Sequence, residues 1–488
     1  MGIYPTNLKG MTVLEWKLDK RSPRTYHQQI VEWFTARIAS GDFPAGMKCP
    51  SQRALALQFE VNRSTINTAM EELKANGLLE TRIGSGTFVA QSAWPQILVQ
   101  PKWQQHIDAS IHKPNIETIQ LINEYEQQDD IIRLGTGELA PELLPTTLLE
   151  QSLKELTIQP RAIGYSEPQG SMALRESLCH HLKKRAINTT PQNILITSGA
   201  LQAFPLIALG LLEIGSVVFQ QKASYLNSIH PFQSAGMHMY GVDTQLNLYD
   251  TLQRVKRNRQ GLFYAIPTLN NPTGVNWSMD EKLTVYEACK ALSIPILEDD
   301  VYSELRFKDT MELPIKALDT TGNVLYVGSV SKTISPGLRI GWIVGPETVI
   351  RRLADIKMQT DYGSSAISQA IVTHWLTSGL YERHVTDLRN QLQERALFME
   401  QLLMKHFKDV ATWESPKGGF YIWVRFSEPV ITKSLFTELL KHKILINPGY
   451  IYEPNNFYHL RFSYAYATYS EMEKGLQIVA KMLLQQSA

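Results

Sequence analysis

The sequence predicts two units of different fold class: a small helical unit closed by a β-hairpin, and a larger α/β unit. Over residues 20–90, apolar residues recur at helical spacing and two short β-rich runs around glycines follow. From residue 131 to 488, short apolar runs alternate with amphipathic stretches. That alternation is typical of a mainly parallel sheet covered by helices, here followed by a small α+β subdomain. Residues 91–130, which contain Pro95 and Pro101 and then an amphipathic stretch at about 115–127, are predicted to be a linker.

Length and composition favour folded units in a reducing compartment. The chain has 488 residues, of which 43% are hydrophobic and 19% are charged, so a largely disordered chain is excluded. Cys49, Cys179 and Cys289 are odd in number and form no CxxC pair. They predict reduced thiols in a cytoplasmic protein, with neither a disulfide framework nor a metal site. No apolar run reaches the roughly 20 residues of a membrane helix, so no membrane partner is expected.

The charge is distributed unevenly along the chain. The net charge of +1 excludes a uniformly basic nucleic-acid binder. Residues 1–90 hold 11 Lys and Arg against 8 Asp and Glu, whereas the remainder holds 48 − 11 = 37 against 47 − 8 = 39. An anionic partner would therefore be expected at the N-terminal unit.

The N-terminal unit is predicted to contain three helices and a hairpin. The first helix covers about 26–38, and SGDFPAG ends it. The second begins after Ser51, a suitable N-cap, and a tight turn leads to the third over 63–76. Gly77 lies where a glycine commonly ends a helix. LLETR and TFVA then form two short strands around the glycine turn IGSG.

Two helices joined by a tight turn form a helix-turn-helix, whose second helix presents its first residues to the major groove of DNA. Those residues are Arg63, Ser64, Thr65 and Asn67. All are cationic or short hydrogen-bonding side chains, the types that contact phosphates and base edges. Spacing alone also allows an ordinary three-helix bundle with a polar face.

The segment PSQRALALQFEVNRSTINTAMEELKANGLLETRIGSGTFVA resembles the GntR-type winged helix-turn-helix, over about residues 24–90. The contacts to DNA that the resemblance implies are made by Arg53, Arg63, Ser64, Thr65 and, at the groove edge, Gly84. Cys49 and Gln52 depart from the family pattern, but neither is an implied contact.

Residues 327–342, VGSVSKTISPGLRIGW, carry groups that pyridoxal phosphate requires. An amine must form an imine with the cofactor aldehyde, and hydroxyls and a guanidinium must hold the phosphate. Lys332 is the candidate amine, and Ser329, Ser331 and Arg339 are the candidate phosphate ligands. A lone lysine in a loop is also typical of a solvated surface charge, so other segments must support this assignment.

Those segments are LEDDVY, NNPTG, SGALQA and KASYLN. Asp299 ends a β-run and is the candidate partner of the pyridine nitrogen, although acidic residues also occur at strand ends without such a role. Tyr302 and Asn271 are candidates to reach the ring 3-oxygen, and Tyr225 to stack on the ring. SGALQA opens a helix, whose N-terminus favours phosphate.

Arg461 in YHLRFSY is a cation in an apolar strand. Buried arginines usually have a partner. A substrate carboxylate would serve, and an internal ion pair is the alternative.

Together these segments resemble fold type I aminotransferases over about residues 131–485, with the aminoadipate/kynurenine-type branch nearest. The motifs in family order are GTGELAPELLP, GYSEPQGSMALRESL, SGALQA, NPTG, EDDVY, SVSKTISPGLRIGW, PKGGFYIW and HLRFSY. The implied cofactor residues are Asn271, Asp299, Tyr302, Lys332, Arg339, the phosphate loop Ser198, Gly199 and Ala200, and Tyr165, which would serve the partner subunit. Gly137 and Arg461 would contact the substrate. FQQKASY lacks the family's acidic residue and proline before the aromatic, which puts the turn around Tyr225 in question.

A GntR-type winged helix joined to such a domain is the layout of MocR-type regulators. The resemblance implies a homodimeric transcription regulator that binds operator DNA and senses pyridoxal 5'-phosphate, an amine or an amino acid. The alternative is a working aminotransferase with an appended DNA-binding unit, because the residues for the chemistry are present. A binding module independent of the cofactor agrees less well with Lys332 and its partners.

Overall fold

The computed structural model describes residues 16–82, 85–90, 109–110, 114–156, 164–165, 167–308 and 312–486. The chain divides into two compact units, Met1–Ser110 and Ile111–Ala488. Much of the predicted linker, residues 91–108 and 111–113, lies outside the described residues. The end of that segment, from residue 114, belongs to the second unit.

The N-terminal unit has the predicted three helices and hairpin. Its elements are α1 (Tyr26–Ala39), α2 (Gln52–Gln58), α3 (Arg63–Ala75), β1 (Leu79–Arg82) and β2 (Gly86–Val89). The Ser51 side chain accepts a hydrogen bond from the Ala54 amide at 3.2 Å, which caps α2. Gly77, just beyond α3, has a φ of 67°, the left-handed conformation expected of a glycine after a helix. This fold confirms the sequence prediction.

The core of this unit follows from helical spacing. Ile30, Phe34 and Ile38 recur every four residues along α1 and are buried. Ile66 and Leu73 lie on the matching face of α3 and are fully buried. Because both apolar faces point at each other, the opposite face of α3 remains in solvent.

The C-terminal unit contains many more elements. Its helices are α4 (Glu117–Tyr125), α5 (Thr146–Glu155), α6 (Met172–Lys183), α7 (Ala203–Leu211), α8 (Leu248–Lys256), α9 (Met279–Ala291), α10 (Ile315–Leu318), α11 (Glu347–Thr360), α12 (Ala366–Ser378), α13 (Leu380–Phe407), α14 (Lys433–Lys441) and α15 (Tyr469–Gln486). Its strands are β3 (Ile132–Arg133), β4 (Ile194–Thr197), β5 (Val217–Gln221), β6 (His238–Val242), β7 (Gly261–Ala265), β8 (Ile296–Asp299), β9 (Val324–Ser329), β10 (Gly341–Val344), β11 (Ala411–Thr412), β12 (Tyr421–Phe426), β13 (Ile444–Leu445), β14 (Asn447–Pro448) and β15 (His459–Ser463).

A seven-stranded sheet in the order β4-β10-β9-β8-β7-β5-β6 forms the centre of the unit. The pairs β5–β6, β5–β7, β7–β8 and β8–β9 are parallel. Only β10 runs against its two neighbours, β4 and β9. The mainly parallel sheet predicted from the apolar runs is confirmed.

Strand alternation explains why these runs are apolar throughout. Leu262 and Tyr264 of β7 belong to one buried core, whereas Phe263 and Ala265 belong to another. Since successive side chains point to opposite faces, both faces of the sheet are covered.

The last part of the chain forms the smaller α+β subdomain. Its sheet has the order β11-β12-β15-β14 and its pairs are antiparallel. The short β3 pairs in parallel with β13, and Ile119 and Ile122 of α4 lie in the same buried core as this subdomain. The segment that enters the unit therefore packs with its C-terminal part.

No helix among the described residues combines the length and apolarity needed to span a membrane.

Candidate functional site

A cavity of about 330 Å³ opens in the C-terminal unit. It lies where β8 ends at Asp299 and β9 ends at Ser329. Ligands commonly bind at the carboxyl ends of parallel strands. The sequence-predicted residues that line it are Gly137, Ala200, Tyr225, Asn271, Asp299, Tyr302, Ser329, Ser331, Lys332, Arg339 and Arg461.

Asp299 lies at the base of the cavity and is 3% exposed. Its Oδ2 accepts a hydrogen bond from the Tyr264 hydroxyl at 2.8 Å. Its Oδ1 is buried and has no hydrogen-bonding partner among the described residues. Burial raises the pKa of Asp299 to about 7, and the Tyr264 hydrogen bond opposes that rise. The carboxylate is therefore short of one donor.

Asp299 lies between two other acidic residues, Glu298 and Asp300, and each of these has partners outside the cavity. Glu298 accepts hydrogen bonds from the backbone amides of Ile315 and Lys316, each at 2.8 Å. Asp300 pairs with Arg185. Of the three carboxylates, only Asp299 lines the cavity, because side chains alternate along a strand.

Lys332 is half-buried in the cavity wall. Its Nζ donates to the carbonyl oxygen of Gly137 at 2.7 Å. A Cβ at Gly137 would lie 2.4 Å from the Tyr421 hydroxyl oxygen, so only glycine allows this close approach.

Arg339, Ser329 and Ser331 form a polar corner of the cavity. The Arg339 Nη2 donates to the Ser198 carbonyl at 2.7 Å, and Ser329 Oγ lies 3.0 Å from Ser331 Oγ. Arg339 has a φ of 53°, a left-handed conformation that costs a non-glycine residue about 1–3 kcal/mol. A turn at Ala200–Gln202 leads directly into α7 beside this corner, which adds backbone amides to it.

Aromatic residues line the middle of the cavity. The hydroxyls of Tyr302 and Tyr421 lie 2.9 Å apart. Tyr225 also lines this region, and burial raises the pKa of its hydroxyl. These tyrosines give the cavity wall both aromatic rings and hydroxyl groups.

Arg461 is 4% exposed and lines the cavity. It donates to Asn271 Oδ1 at 2.7 Å and to the Gly135 carbonyl at 2.6 Å. Its guanidinium lies over the rings of Tyr421 and Tyr452, at 3.9 and 4.8 Å from their centroids. No carboxylate of the described residues forms an ion pair with it, and its buried Nε has no partner there.

Three predicted residues are not part of the cavity wall. Ser198 and Gly199 lie behind Arg339, where a Cβ at Gly199 would approach the Arg339 Nη2 to 2.7 Å. Tyr165 is 84% exposed and packs against Tyr362, with 5.0 Å between ring centroids. Tyr165 therefore does not line this cavity within one chain.

Sequence reasoning missed several residues of the site: Tyr264, Tyr421, Tyr452, Asn447 and Glu126. Tyr421 lies in PKGGFYIW, one of the aminotransferase-type motifs. Tyr264 lies in the buried run GLFYA, where a tyrosine needs a partner for its hydroxyl. Glu126 follows α4, within the stretch predicted to be linker.

The residues of the cavity fit pyridoxal phosphate. A protonated pyridine nitrogen would donate to the unpartnered Asp299 Oδ1. Arg339, Ser329 and Ser331 offer donors to a phosphate, and Lys332 offers an amine in the same cavity. The buried Arg461 Nε offers a donor to a ligand carboxylate.

In the N-terminal unit, the predicted DNA contacts lie mostly in solvent. Arg53, Arg63, Ser64 and Asn67 are exposed, and Thr65 is half-buried. Asn67 Oδ1 accepts from Gln52 Nε2 at 3.0 Å, which ties the two helices at this surface. Gly84 lies outside the described residues.

Two cations that sequence reasoning did not single out lie at the hairpin: Arg82 in its first strand, and Lys48, which forms an isolated bridge with Phe88 of the second strand. The Arg82 guanidinium lies 4.6 Å from the centroid of the Phe88 ring, and the Lys48 ammonium lies 5.9 Å from it. Cations beside a hairpin can contact phosphates next to the major groove.

Family models match both units. Residues 26–89 match bacterial regulatory proteins of the gntR family, and residues 129–479 match aminotransferase class I and II. The uncharacterised HTH-type transcriptional regulator YisV of Bacillus subtilis is 44% identical over 476 residues, which cover 96% of this chain and 98% of YisV. The HTH-type transcriptional regulator NorG of Staphylococcus aureus is 37% identical, over 88% of this chain and 98% of NorG.

Solved structures resemble the C-terminal unit. A Pyrococcus horikoshii kynurenine aminotransferase in complex with PMP has a TM-score of 0.71 and 27% identity, over 77% of this chain and 96% of that one. The α-aminoadipate aminotransferase LysN of Thermus thermophilus, complexed with N-(5'-phosphopyridoxyl)-L-leucine, has a TM-score of 0.69 and 25% identity, over 79% and 99%. This family of folds implies pyridoxal phosphate as the cofactor.

Proposed function

The chain belongs to the helix-turn-helix transcriptional regulators that join a gntR-family unit to an aminotransferase class I and II domain, and we propose that it binds operator DNA under the control of pyridoxal phosphate and an amino compound. Such a regulator works where bacterial DNA is, in the cytoplasm. The layout is that of MocR-type regulators.

One observation carries the proposal. A single chain combines an exposed polar helix start in a winged helix-turn-helix with a cavity whose buried polar atoms lack partners. Unpartnered buried donors and acceptors cost free energy unless a ligand supplies the missing partner. Each half of the molecule therefore offers polar groups to a ligand, DNA in one case and a small molecule in the other.

The cavity residues have distinct roles toward the small molecules. Pyridoxal phosphate supplies an aldehyde and an electron-withdrawing ring when bound. Lys332 would hold the aldehyde carbon, Asp299 the proton on the pyridine nitrogen, and Arg339 with its serines the phosphate. Arg461 would orient a ligand carboxylate, since it is already held by Asn271 and Gly135.

We also propose a homodimer. Tyr165 is too exposed to serve its own cavity, and in fold type I proteins the corresponding residue reaches the phosphate of the partner subunit. Two winged helices on one dimer would bind two half-sites, the second as an intramolecular event. A mass in solution of twice 55.4 kDa is expected; a monomer at micromolar concentration would contradict this part of the proposal.

The test is a footprint and titration of the intergenic region upstream of the gene, with and without pyridoxal phosphate and a panel of amines and amino acids. Ligand coupling typically changes an affinity about 5–150-fold. We expect a change in that range, which Lys332→Ala should reduce while basal DNA binding remains. If no cofactor or amine alters operator affinity, the sensing function is wrong.

A second candidate function has its own observation: the amine, carboxylate and guanidinium that transamination needs all line one cavity. Incubating the loaded protein with an amino acid and a keto acid, and measuring new amino acid over many turnovers, tests it. Sustained turnover together with ligand-independent operator binding would favour the enzyme.

A further inference from the structure

The cavity wall carries more acidic groups than the cofactor would engage. Its charged residues are Lys332, Arg339, Arg461, Asp299, Glu126 and Glu138. In the proposed function, the first four are assigned to the aldehyde, the phosphate, the ligand carboxylate and the pyridine nitrogen. Glu126 and Glu138 have no counterpart in the cofactor.

Glu126 is held in the wall by α4. Ile119 and Ile122 anchor this helix in the core of the C-terminal unit and also line the cavity. Oε1 of Glu126 accepts from the Thr136 hydroxyl at 2.9 Å. Oε2 has no hydrogen-bonding partner in the described part of the chain. One oxygen is therefore fixed, and the other is available to a ligand.

Two carboxylates in one wall favour a cation between or beside them. Burial raises the pKa of Glu126 and the neighbouring charge of Glu138 raises it further, while the Thr136 hydrogen bond and the charges of Arg461 and Arg133 lower it. A ligand cation would relieve both the desolvation and the repulsion. A second acidic group on the ligand would increase them.

Three consecutive residues bring Glu126 within reach of the same ligand as Lys332 and Arg461. The Gly135 carbonyl accepts from Arg461, Thr136 binds Glu126, and the Gly137 carbonyl accepts from Lys332. Consecutive Cα atoms are about 3.8 Å apart, so the Cα atoms of Gly135 and Gly137 lie no more than about 8 Å apart. An extended molecule of five or six carbon atoms can contact all three groups.

The unpartnered Nε of Arg461 is independent support for a ligand in this part of the cavity. Arg461 is 4% exposed, and that nitrogen has no partner among the described residues. A ligand with a carboxylate at Arg461 and a cation at Glu126 would supply a partner of opposite charge to both residues.

We propose that the effector is a dicationic amino compound, an amino acid with a basic side chain or a diamine, whose distal ammonium binds Glu126. Its other amine would bond to the aldehyde carbon of the cofactor as the bond from that carbon to Lys332 breaks, which would release Lys332 as a free amine. Glu138, an exposed residue of the cavity wall, would attract the distal ammonium. This inference rests on the proposed function, since it names the ligand class of the same site.

The experiment measures dissociation constants by isothermal titration of the full chain loaded with pyridoxal phosphate. Two matched series differ only at the distal end: L-ornithine, L-norvaline and L-glutamate, and L-lysine, L-norleucine and L-2-aminoadipate. We expect the basic member to bind at least about tenfold more tightly than the neutral member, the effect of one charge-assisted hydrogen bond. The acidic member should bind most weakly.

Variants separate a direct contact from a general effect of charge. Glu126→Gln keeps the shape of the side chain and should remove most of the preference for the basic member, with little effect on L-norvaline. Glu124→Gln, an exposed residue on the same helix, is the matched control and should leave the preference intact. Visible absorption of the bound cofactor shows that both variants remain loaded.

The outcomes distinguish this inference from the proposed function. If the neutral or acidic member binds as tightly as the basic one at both lengths, or if Glu126→Gln retains the preference, the inference is wrong. The proposed sensing function is unaffected by either result. If no member of either series binds or alters operator affinity, the proposed function fails as well.

Discussion

Arg63 in the N-terminal unit and Arg461 in the C-terminal unit are both assigned to anions, but they lie in opposite environments. Arg63 begins α3 and is exposed. Arg461 is 4% exposed, lies against two tyrosine rings and donates to two oxygens at 2.6–2.7 Å. One guanidinium is solvated, whereas the other is already positioned by its hydrogen bonds.

The difference teaches how each unit achieves binding. A solvated arginine must lose water and side-chain freedom on binding, but its removal does not disturb the fold. A preorganised arginine has lost that freedom during folding, so binding costs less but its removal leaves buried oxygens without donors. We expect substitutions in the DNA-contact surface to change affinity alone, and substitutions in the cavity to change both affinity and stability.

The largest expected effect is at Lys332. Lys332→Ala removes the amine that the proposed function requires for covalent attachment. We expect the visible absorption that pyridoxal phosphate acquires when attached to the protein to be lost completely, with unchanged DNA affinity in the absence of ligands. Lys290→Ala, a lysine outside the cavity, should retain the absorption. An unaltered spectrum in Lys332→Ala would show that another lysine is involved.

The second prediction concerns Asp299 in protein free of cofactor. Burial raises its pKa to about 7 from 3.8. Between about pH 4 and pH 7, Asp299 is therefore ionised in the unfolded chain but still protonated in the folded protein. The free energy of unfolding falls as pH rises through this range. Asp299→Asn removes this loss. We therefore compare the free energy of unfolding of Asp299→Asn with that of wild type, measured by urea titration. The difference between variant and wild type should be about 2–3 kcal/mol larger at pH 8 than at pH 5, in favour of the variant.

Asp300→Asn is the matched control for that experiment. It removes the partner of the buried Arg185 and should destabilise the protein at both pH values, because an uncompensated buried charge remains. An equal effect of Asp299→Asn at pH 5 and pH 8 would show that Asp299 titrates normally.

Arg63→Ala tests the DNA-contact surface. Loss of a base contact should weaken specific operator binding by about 1–3 kcal/mol, whereas loss of a phosphate contact should weaken binding to all sequences and lower the salt slope by about 1. The melting temperature of the N-terminal unit should stay the same. Lys74→Ala, at the other end of the same helix, is the control. Operator affinity that does not change across a salt series would exclude Arg63 from the interface.

The smallest effect is expected for Arg461→Lys, which keeps the charge but loses the fork of donors. L-Ornithine should bind about tenfold more weakly to the loaded variant, the effect of one lost charge-assisted hydrogen bond. 1,4-Diaminobutane, which has no carboxylate, should bind as it does to wild type. Equal weakening of both ligands would show that Arg461 supports the cavity without contacting a carboxylate.

The acidic run at 298–300 shows how far prediction from sequence extends. Its place at the end of an apolar run predicted a strand, and the family motif assigned Asp299 to the cofactor. The structure places Glu298 on backbone amides and Asp300 on Arg185, and leaves Asp299 in the cavity. The partners of these carboxylates come from distant parts of the chain, so spacing could not predict them.

Glu126 shows the opposite case. Local composition predicted a linker up to residue 130, because prolines and glutamines dominate its first half. The apolar residues of α4 nevertheless pack into the C-terminal core, and β3 pairs with β13 about 310 residues later in the chain. A nine-residue helix is too short to be stable alone, so its position depends on that tertiary packing.

The sequence by itself determined the two fold classes, the helix-turn-helix and the order of cofactor-type motifs, because periodicity, caps and turn residues act over a few positions. It also predicted Lys332, Arg339 and Asp299 as the groups with the required chemistry, and the structure brings the three into one cavity. Only the tertiary structure decided which polar atoms are buried without partners and which carboxylates face the cavity. Burial and hydrogen bonding depend on residues that are far apart in the chain, so they arise only when the elements pack together.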